Sequence, residues 1–172
     1  MKNKLFITGL PHSGKSTLLQ KVIQDLPKKR GFLTREVSRD GQRTGFEVVT
    51  SEGLVATLAS LEKETPIKVS RYFVDLEGLE SAVSQLQKFV EGDLLYIDEV
   101  GQMELYSENF KNLVESYLNA ENVFVGTLSK VYTDDFTEKI KARGDVELVE
   151  ITGENRDEVQ REVTYWLSER LG

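Results

Sequence analysis

Cysteine is absent from the 172-residue sequence, and histidine occurs only once. Disulfides, thiolate nucleophiles and cysteine-based zinc sites are therefore excluded, and a histidine-based metal site is disfavoured. No apolar run approaches the roughly 18 residues that a membrane-spanning helix needs. The apolar stretch after Lys4 is also too short for a secretion signal. We therefore expect a cytoplasmic protein with no membrane partner.

Acidic residues outnumber basic ones in the sequence. The chain has 22 Lys and Arg residues against 29 Asp and Glu residues, which gives a formal net charge of −7. Nucleic acids and anionic membranes bind basic surfaces, so no nucleic-acid partner is expected. The apolar content of 39% and the charged content of 30% are typical of a globular protein. The length predicts a single domain over residues 1–172.

The segment Gly9–Ser16 fits the pattern G-x-x-x-x-G-K-[ST] of a phosphate-binding loop. An apolar, β-prone segment at residues 4–8 precedes it, and apolar residues at helical spacing follow as far as Leu26. In such a strand–loop–helix unit, backbone N–H groups and the positive end of the helix bind polyphosphate. Lys15 is predicted to contact the β- and γ-phosphates, and Ser16 to be a ligand of Mg²⁺. The predicted nucleotide-binding residues here are Gly9, Leu10, Pro11, His12, Ser13, Gly14, Lys15, Ser16 and Thr17.

A second motif begins with the apolar run Leu94–Ile97 and ends in Asp98 and Glu99. A continuous apolar run of this length is typical of a strand that is buried on both faces of a parallel sheet. Asp98 is the predicted second ligand of Mg²⁺, and Glu99 is the predicted base that deprotonates an attacking water. Taken alone, the acidic pair would also fit a solvated strand end. The predicted catalytic residues are Glu99 and Lys15, and the neighbours included in the nucleotide site are Tyr96, Ile97, Val100 and Gly101.

Thr127 ends a further apolar run that we expect to lie beside the Asp98 strand. Its hydroxyl is a candidate sensor of the γ-phosphate, and the alternative is a threonine that simply ends a strand. His12 is expected to shape the loop or to face solvent. Arginines are candidates for transition-state charge, although each alone is more typical of a solvated or structural residue. They are Arg35, Arg39, Arg43, Arg71, Arg143 and Arg156.

Strand and helix patterns alternate along the chain, which predicts an α/β, doubly wound and mainly parallel sheet. Right-handed crossovers bring the carboxyl ends of parallel strands to one edge, so the loop, Asp98 and Thr127 should meet there. Between Gly31 and Leu58, short strands joined by glycine-containing turns predict an added antiparallel meander. Helices are predicted over residues 16–26, 79–90, 105–118, 132–142 and 155–171.

Several classes of P-loop protein are less compatible with the sequence. No Asn-Lys-x-Asp tetrapeptide is present to recognise guanine, and no His-Arg-Asp loop of a protein kinase occurs. A nucleotide or nucleoside kinase that leaks to water remains open, although no Arg-x-x-Arg lid is evident. A nucleotide-dependent binding module with slow hydrolysis, in which the meander contacts an unknown protein partner, also remains open.

The chain resembles the THEP1 family of nucleoside-triphosphatases, also called cancer-related NTPases, over nearly its whole length. The most specific block is Asp98–Leu105 (DEVGQMEL), followed by Gly126-Thr127 and Glu154–Arg156. The resemblance implies a RecA-like sheet and Mg²⁺-dependent hydrolysis of ATP, GTP and other nucleoside triphosphates to diphosphate and phosphate. The family pattern differs at several positions: it has Lys at Gln102, Arg at Ser38, Glu at Arg35 and Gly at Ser70.

Overall fold

The computed structural model describes residues 1–172 as a sheet with helices on both faces. The nine strands are β1 (Lys4–Gly9), β2 (Lys29–Arg39), β3 (Gln42–Thr50), β4 (Val55–Ser60), β5 (Lys68–Val69), β6 (Tyr72–Val74), β7 (Leu94–Val100), β8 (Phe124–Ser129) and β9 (Val146–Glu150). The five α-helices are α1 (Lys15–Ile23), α2 (Leu76–Gln85), α3 (Glu108–Asn119), α4 (Asp135–Lys141) and α5 (Arg156–Leu171). A short 3₁₀ helix at Glu104–Tyr106 precedes α3.

All nine strands belong to one sheet, in the order β5-β6-β4-β3-β2-β7-β8-β1-β9. The strands β2, β7, β8, β1 and β9 pair in parallel, whereas β3, β4, β6 and β5 extend the sheet from β2 by antiparallel pairing. The α/β class is therefore confirmed, but the prediction of a mainly parallel sheet is not, because the sheet is mixed. The sheet is mixed because β2 belongs to both parts: it pairs in parallel with β7 through Lys29–Phe32 and antiparallel with β3 through Phe32–Arg39. The meander is thus continuous with the parallel strands.

Two apolar cores lie on opposite faces of the sheet, because successive side chains of each strand alternate between the faces. Phe6 belongs to the core beneath α2 and α3, whereas Leu5 and Ile7 belong to the core beneath α1 and α5. The last helix, α5, contributes four buried side chains to the second of these cores: Val159, Val163, Trp166 and Leu167.

Some helix boundaries differ from the predictions. The second helix ends at Gln85 rather than at Val90, and Asn122 fixes the following segment by donating to the carbonyl oxygens of Val90 and Asp93. The first helix ends at Ile23, three residues before Leu26. The fourth helix is shorter than predicted, spanning Asp135–Lys141, and it buries Thr137 and Ile140. None of the helices combines the length and the apolar character needed to cross a membrane.

The carboxyl ends of the parallel strands lie at one edge of the sheet. Gly9 at the end of β1 pairs with Ser129 at the end of β8, and Ile97 of β7 pairs with Gly126 of β8. Beyond Phe32, β2 has no further pairing with β7 and continues with β3 as a hairpin above this edge. We call residues 33–49 the β2–β3 hairpin.

Candidate active site

A cleft of about 640 Å³ opens at the carboxyl edge of the parallel strands. The loop after β1 forms one wall, the β2–β3 hairpin forms the opposite wall, and the end of β7 lies between them. Many of the predicted site residues line this cleft. They are Pro11, His12, Gly14, Lys15, Ser16, Thr17, Asp98 and Glu99.

The loop between β1 and α1 is compact. A Cβ placed on Gly9 would lie 2.6 Å from the Ser13 hydroxyl oxygen and 2.7 Å from the Ile151 carbonyl oxygen, so only glycine fits there. Gly14 has a φ of 100°, a left-handed conformation that favours glycine. The helix α1 begins at Lys15 with no side-chain cap and no acid in its first turn. Its first N–H groups therefore remain available to an anion.

The Lys15 ammonium lies inside this loop. It donates hydrogen bonds to the carbonyl oxygens of Gly9, at 2.9 Å, and of Leu10, at 3.3 Å. It is also 3.6 Å from Oε2 of Glu99. The two sequence motifs therefore meet through a cation and a carboxylate at the centre of the cleft.

Asp98 connects three strands and the loop. Its side chain, 1% exposed, accepts hydrogen bonds at Oδ1 from the hydroxyls of Ser16, at 2.8 Å, and Thr127, at 2.7 Å. Its Oδ2 accepts from the backbone N–H of Thr34 at 3.2 Å, and the Thr34 hydroxyl donates to the Asp98 carbonyl oxygen. Burial raises the pKa of Asp98, while these hydrogen bonds and the nearby Lys15 oppose the shift. The carboxylate is thus fixed in a single orientation.

Glu99 and Glu104 form a pair of acids beside Asp98. A Cβ placed on Gly101 would lie 2.7 Å from Oε1 of Glu99 and 3.2 Å from Oε2 of Glu104, so both carboxyl groups flank this glycine. Burial raises the pKa of Glu99, and the charge of Asp98 adds to the increase, whereas Lys15 opposes it. Burial also raises the pKa of Glu104 well above its ordinary range, and the charge of Glu99 adds to this shift. The peptide bond between Asp98 and Glu99 is cis.

Replacing Glu104 with glutamine is expected to stabilise the protein increasingly as pH rises. A folded-state pKa above the unfolded value means that the stability Glu104 contributes is present below the unfolded pKa and is lost as pH rises through the folded pKa. Glutamine does not titrate, and its amide oxygen can still accept from the backbone N–H groups of Gly101 and residue 104. Urea unfolding of both proteins between about pH 5 and pH 8, without nucleotide, measures the difference.

The exposed Glu108, at the start of α3, provides the control for this series. Glu108→Gln makes the same acid-to-amide change at an exposed position, so the gain in stability at high pH should be larger for Glu104→Gln than for Glu108→Gln. A Glu104→Gln difference that stays constant with pH would contradict the assignment of Glu104 as a buried acid whose ionisation destabilises the fold.

Other predicted site residues lie outside the cleft. Tyr96, Ile97 and Val100 are buried in the two cores, because a strand covered on both faces directs alternate side chains into each core. Burial raises the pKa of Tyr96 to about 12. The side chain of Leu10 is 54% exposed and does not line the cleft. Thr127 is fully buried, and its hydroxyl donates to Asp98 instead of facing the cleft.

Two residues that contact the acidic centre were not predicted to have a role there. Thr34 contacts Asp98 only because β2 and β7 are neighbours, and no local pattern shows that pairing. Glu104 is part of the DEVGQMEL block. The sequence feature that could have identified it is its position directly before the apolar Leu105, which is buried.

Comparison with known proteins identifies the family. The sequence profile of the NTPase family matches residues 4–164. The nucleoside-triphosphatase THEP1 of Thermotoga sp. strain RQ2 is 40% identical over 162 residues, which are 93% of this chain and 92% of the relative. The cancer-related nucleoside-triphosphatase homolog of Bos taurus is 33% identical over 99% of this chain and 100% of the relative.

Two solved structures share the fold over nearly their full lengths. The crystal structure of THEP1 from the hyperthermophile Aquifex aeolicus has a TM-score of 0.83 and 31% identity, with coverage of 95% of this chain and 98% of that chain. The solution structure of a human cancer-related nucleoside triphosphatase has a TM-score of 0.80 and 30% identity, with coverage of 97% and 98%. The chain therefore belongs to the THEP1 family of nucleoside-triphosphatases, which are hydrolases acting on nucleoside triphosphates.

Proposed function

We propose that this protein is a Mg²⁺-dependent enzyme that hydrolyses ATP, GTP and other nucleoside triphosphates to diphosphate and phosphate. The observation that carries the proposal is the 2.8 Å hydrogen bond between Ser16 and Asp98, which are 82 residues apart in the sequence. This contact joins the phosphate-binding loop to the acidic strand end and leaves Glu99 beside Lys15 in the cleft. Base selectivity is expected to be loose, as the THEP1 resemblance implies.

The residues around Asp98 fit a magnesium ion. The hydroxyl of Ser16 and the carboxylate of Asp98 are oxygen donors, which Mg²⁺ prefers, and they lie close enough to face one cation. No group of three or more acids, histidines or cysteines is arranged around a common metal position. Mg²⁺ in nucleotide enzymes needs no such group, because it uses one or two protein oxygens together with substrate phosphates and water. When bound, the ion neutralises charge that develops on the β- and γ-phosphate oxygens.

Backbone and side-chain groups of the protein bind the phosphates and activate the water. The N–H groups of the loop and of α1 bind the phosphates, and Lys15 neutralises charge between the β- and γ-phosphates. Glu99 orients the attacking water and accepts its proton, and its raised pKa makes it a stronger base than an ordinary carboxylate. Thr127 and Thr34 hold the Asp98 carboxylate in place by hydrogen bonds.

Residues 1–172 are proposed to form a single P-loop domain of the RecA-like type. The parallel half of the sheet, in which β8 separates the loop strand β1 from the acidic strand β7, supports this assignment. The meander at residues 31–58 is proposed as an insertion within this domain, and its strands β3 and β4 pair within the same sheet. A cytoplasmic location, where nucleoside triphosphates are available, completes the proposal.

Steady-state phosphate release from ATP, GTP, CTP and UTP tests the proposal. We expect all four to be hydrolysed with kcat/KM values within about tenfold of one another, which corresponds to a difference of only about 1.4 kcal/mol between bases, because base selection is loose. Chelation of divalent ions with EDTA should abolish the activity, and excess Mg²⁺ should restore it. Phosphate release that survives EDTA would contradict the metal assignment. Nucleotide consumption that requires an added nucleoside or monophosphate would instead identify a kinase.

A further inference from the structure

Only two of the six candidate arginines line the cleft, Arg43 and Arg156. Arg143 binds Asp145 and the Leu118 carbonyl oxygen at the amino edge of the strands, since the adjoining Val146 pairs with Lys4 at the start of β1. The other three have exposed side chains outside the cleft: Arg35 pairs with Glu47, Arg39 pairs with Glu62, and Arg71 contacts Tyr72.

Arg156 contacts the phosphate-binding loop from the β9 side of the sheet. Its Nε donates to the Ser13 carbonyl oxygen at 3.1 Å, and it lies 3.5 Å from the position of a Cβ on Gly14. It is the first residue of α5, which follows β9, and β9 adjoins β1 on the side opposite β8 and β7. Arg156 therefore reaches the loop from β9, whereas Glu99 lies on β7, on the other side of β1 and β8.

Arg43 lies on the Glu99 side of the cleft, on β3 of the hairpin wall. Its Nη1 donates to Oε1 of Glu36 at 3.0 Å, and its Nε donates to the Tyr72 hydroxyl at 2.9 Å. The guanidinium also stacks on the rings of Phe46, at 5.1 Å, and Tyr72, at 5.7 Å. These contacts use two of the five N–H donors of arginine, so three remain for a ligand. Such a guanidinium is held in position before any anion arrives.

A chain of contacts connects Arg43 to the acidic centre. Thr34, which donates to Asp98, and Glu36, which binds Arg43, are two residues apart on β2 and therefore share one face of the strand. Two strand residues rise by roughly 7 Å, so Glu36 lies one pleat repeat further along β2 than Thr34, which contacts Asp98. Both Glu36 and Arg43 line the same cleft as Lys15 and Glu99.

We propose that Arg43 is a catalytic residue whose free N–H groups contact the γ-phosphate oxygens in the transition state, on the side opposite Lys15. The proposal rests on the proposed function, because it requires a γ-phosphate between Lys15 and Glu99. In the reaction, a bond forms between the water oxygen and the γ-phosphorus, and the bond to the β-bridging oxygen breaks. The water proton passes to Glu99, and the nucleoside diphosphate leaves. Negative charge spreads over the equatorial oxygens, where a fixed guanidinium stabilises it.

The charges that face the cleft favour such a role. Asp98, Glu99 and Glu104 contribute acidic groups near the γ-phosphate position, and Lys15 is the one cation in contact with them. A triphosphate adds further negative charge, so a second cation on the hairpin side balances the site. Arg43 is the cleft-lining cation of the hairpin.

Arg43→Ala should lower kcat by at least about 10²-fold, which is the lower range for removing a group that stabilises transition-state charge. The KM and the dissociation constant of ADP should change by less than about tenfold, because the guanidinium acts mainly in the transition state. As a second readout, Mg²⁺, ADP and aluminium fluoride mimic the transferred phosphoryl group. The wild-type protein should retain ADP in this mixture through gel filtration, and the Arg43→Ala protein should release it.

Arg71→Ala is the matched control. Arg71 donates to the same Tyr72 hydroxyl and stacks on the same ring, at 5.2 Å, but it is exposed and lies outside the cleft lining. We expect its kcat to remain within about threefold of wild type. A kcat for Arg43→Ala within that same range, or an equal loss in both variants, would overturn the proposal and leave the arginine cluster a structural role.

A second variant and a wild-type control complete the experiment. If Arg43→Ala lowers the thermal unfolding midpoint, Arg43→Gln replaces it, because glutamine retains an N–H donor for Tyr72 without the charge. Arg43→Gln at wild-type kcat would overturn the proposal. Wild-type protein that releases no phosphate from any triphosphate would instead refute the proposed function, so the two failures are distinguishable.

Discussion

Glu99→Gln is expected to lower the kcat for nucleoside triphosphate hydrolysis by about 10²- to 10⁴-fold, the usual contribution of a general base. Glutamine has the same shape but accepts no proton from water. The effect should be large because Glu99 is the acid in contact with Lys15, and burial and the charge of Asp98 raise its pKa and hence its strength as a base. Nucleotide binding should persist, since the substitution removes a negative charge beside the phosphates.

Phosphate release at saturating triphosphate, together with equilibrium binding of a non-hydrolysable analogue, separates the two effects of Glu99→Gln. Glu108→Gln is the control for an acid-to-amide change, because Glu108 is exposed and pairs only with Lys111 on the surface of α3. Hydrolysis within a few-fold of wild type, with binding intact, would show that another group activates the water.

Lys15→Ala is expected to reduce kcat/KM by about 10²- to 10⁴-fold, because hydrogen bonds to charged groups contribute about 1.5–3 kcal/mol each and Lys15 is expected to contact two phosphates. The loss should appear in binding as well as in kcat. The ammonium also bonds the Gly9 and Leu10 carbonyl oxygens, so its removal loosens the loop that binds the phosphates. Without this cation, the pKa of Glu99 should rise further, since Lys15 lowers it in the wild-type protein.

Isothermal titration of the Lys15→Ala protein with a non-hydrolysable triphosphate measures the loss of affinity. Lys21→Ala serves as the control, because Lys21 lies in the last turn of the same helix, away from the cleft. Affinity equal to that of wild type in Lys15→Ala would mean that the loop binds phosphate through its backbone alone. The pH dependence of the residual activity would then show whether Lys15 acts only on Glu99.

The parts of the site that are local in sequence were predictable. The phosphate-binding loop needs one strand, one turn and one helix within residues 4–26, and each has a recognisable residue pattern. The meeting of Ser16 and Asp98 was also expected, because right-handed crossovers place the carboxyl ends of parallel strands at one edge. These inferences depend on chain geometry that most α/β proteins share.

The parts that depend on strand neighbours were not predictable. No pattern in β2 shows that it pairs with β7, so the contact between Thr34 and Asp98 was missed. Local strand patterns also do not show that β2 joins the meander to the parallel strands, so a mainly parallel sheet was expected. The burial of Glu104 arises where the segment after β7 packs against the core, and an acid in such a segment is usually exposed.

The shared strand β2 couples the wall of the cleft to its acidic centre. One half of β2 is fixed beside β7, and the other half is the hairpin strand that carries Glu36. Thr34 lies at the junction and donates to Asp98 from both its backbone and its hydroxyl. Because β2 is one continuous strand, any tilt of the hairpin moves the two groups of Thr34 that donate hydrogen bonds to Asp98. A change in the position of the cleft wall is therefore accompanied by a change in the orientation of the Asp98 carboxylate.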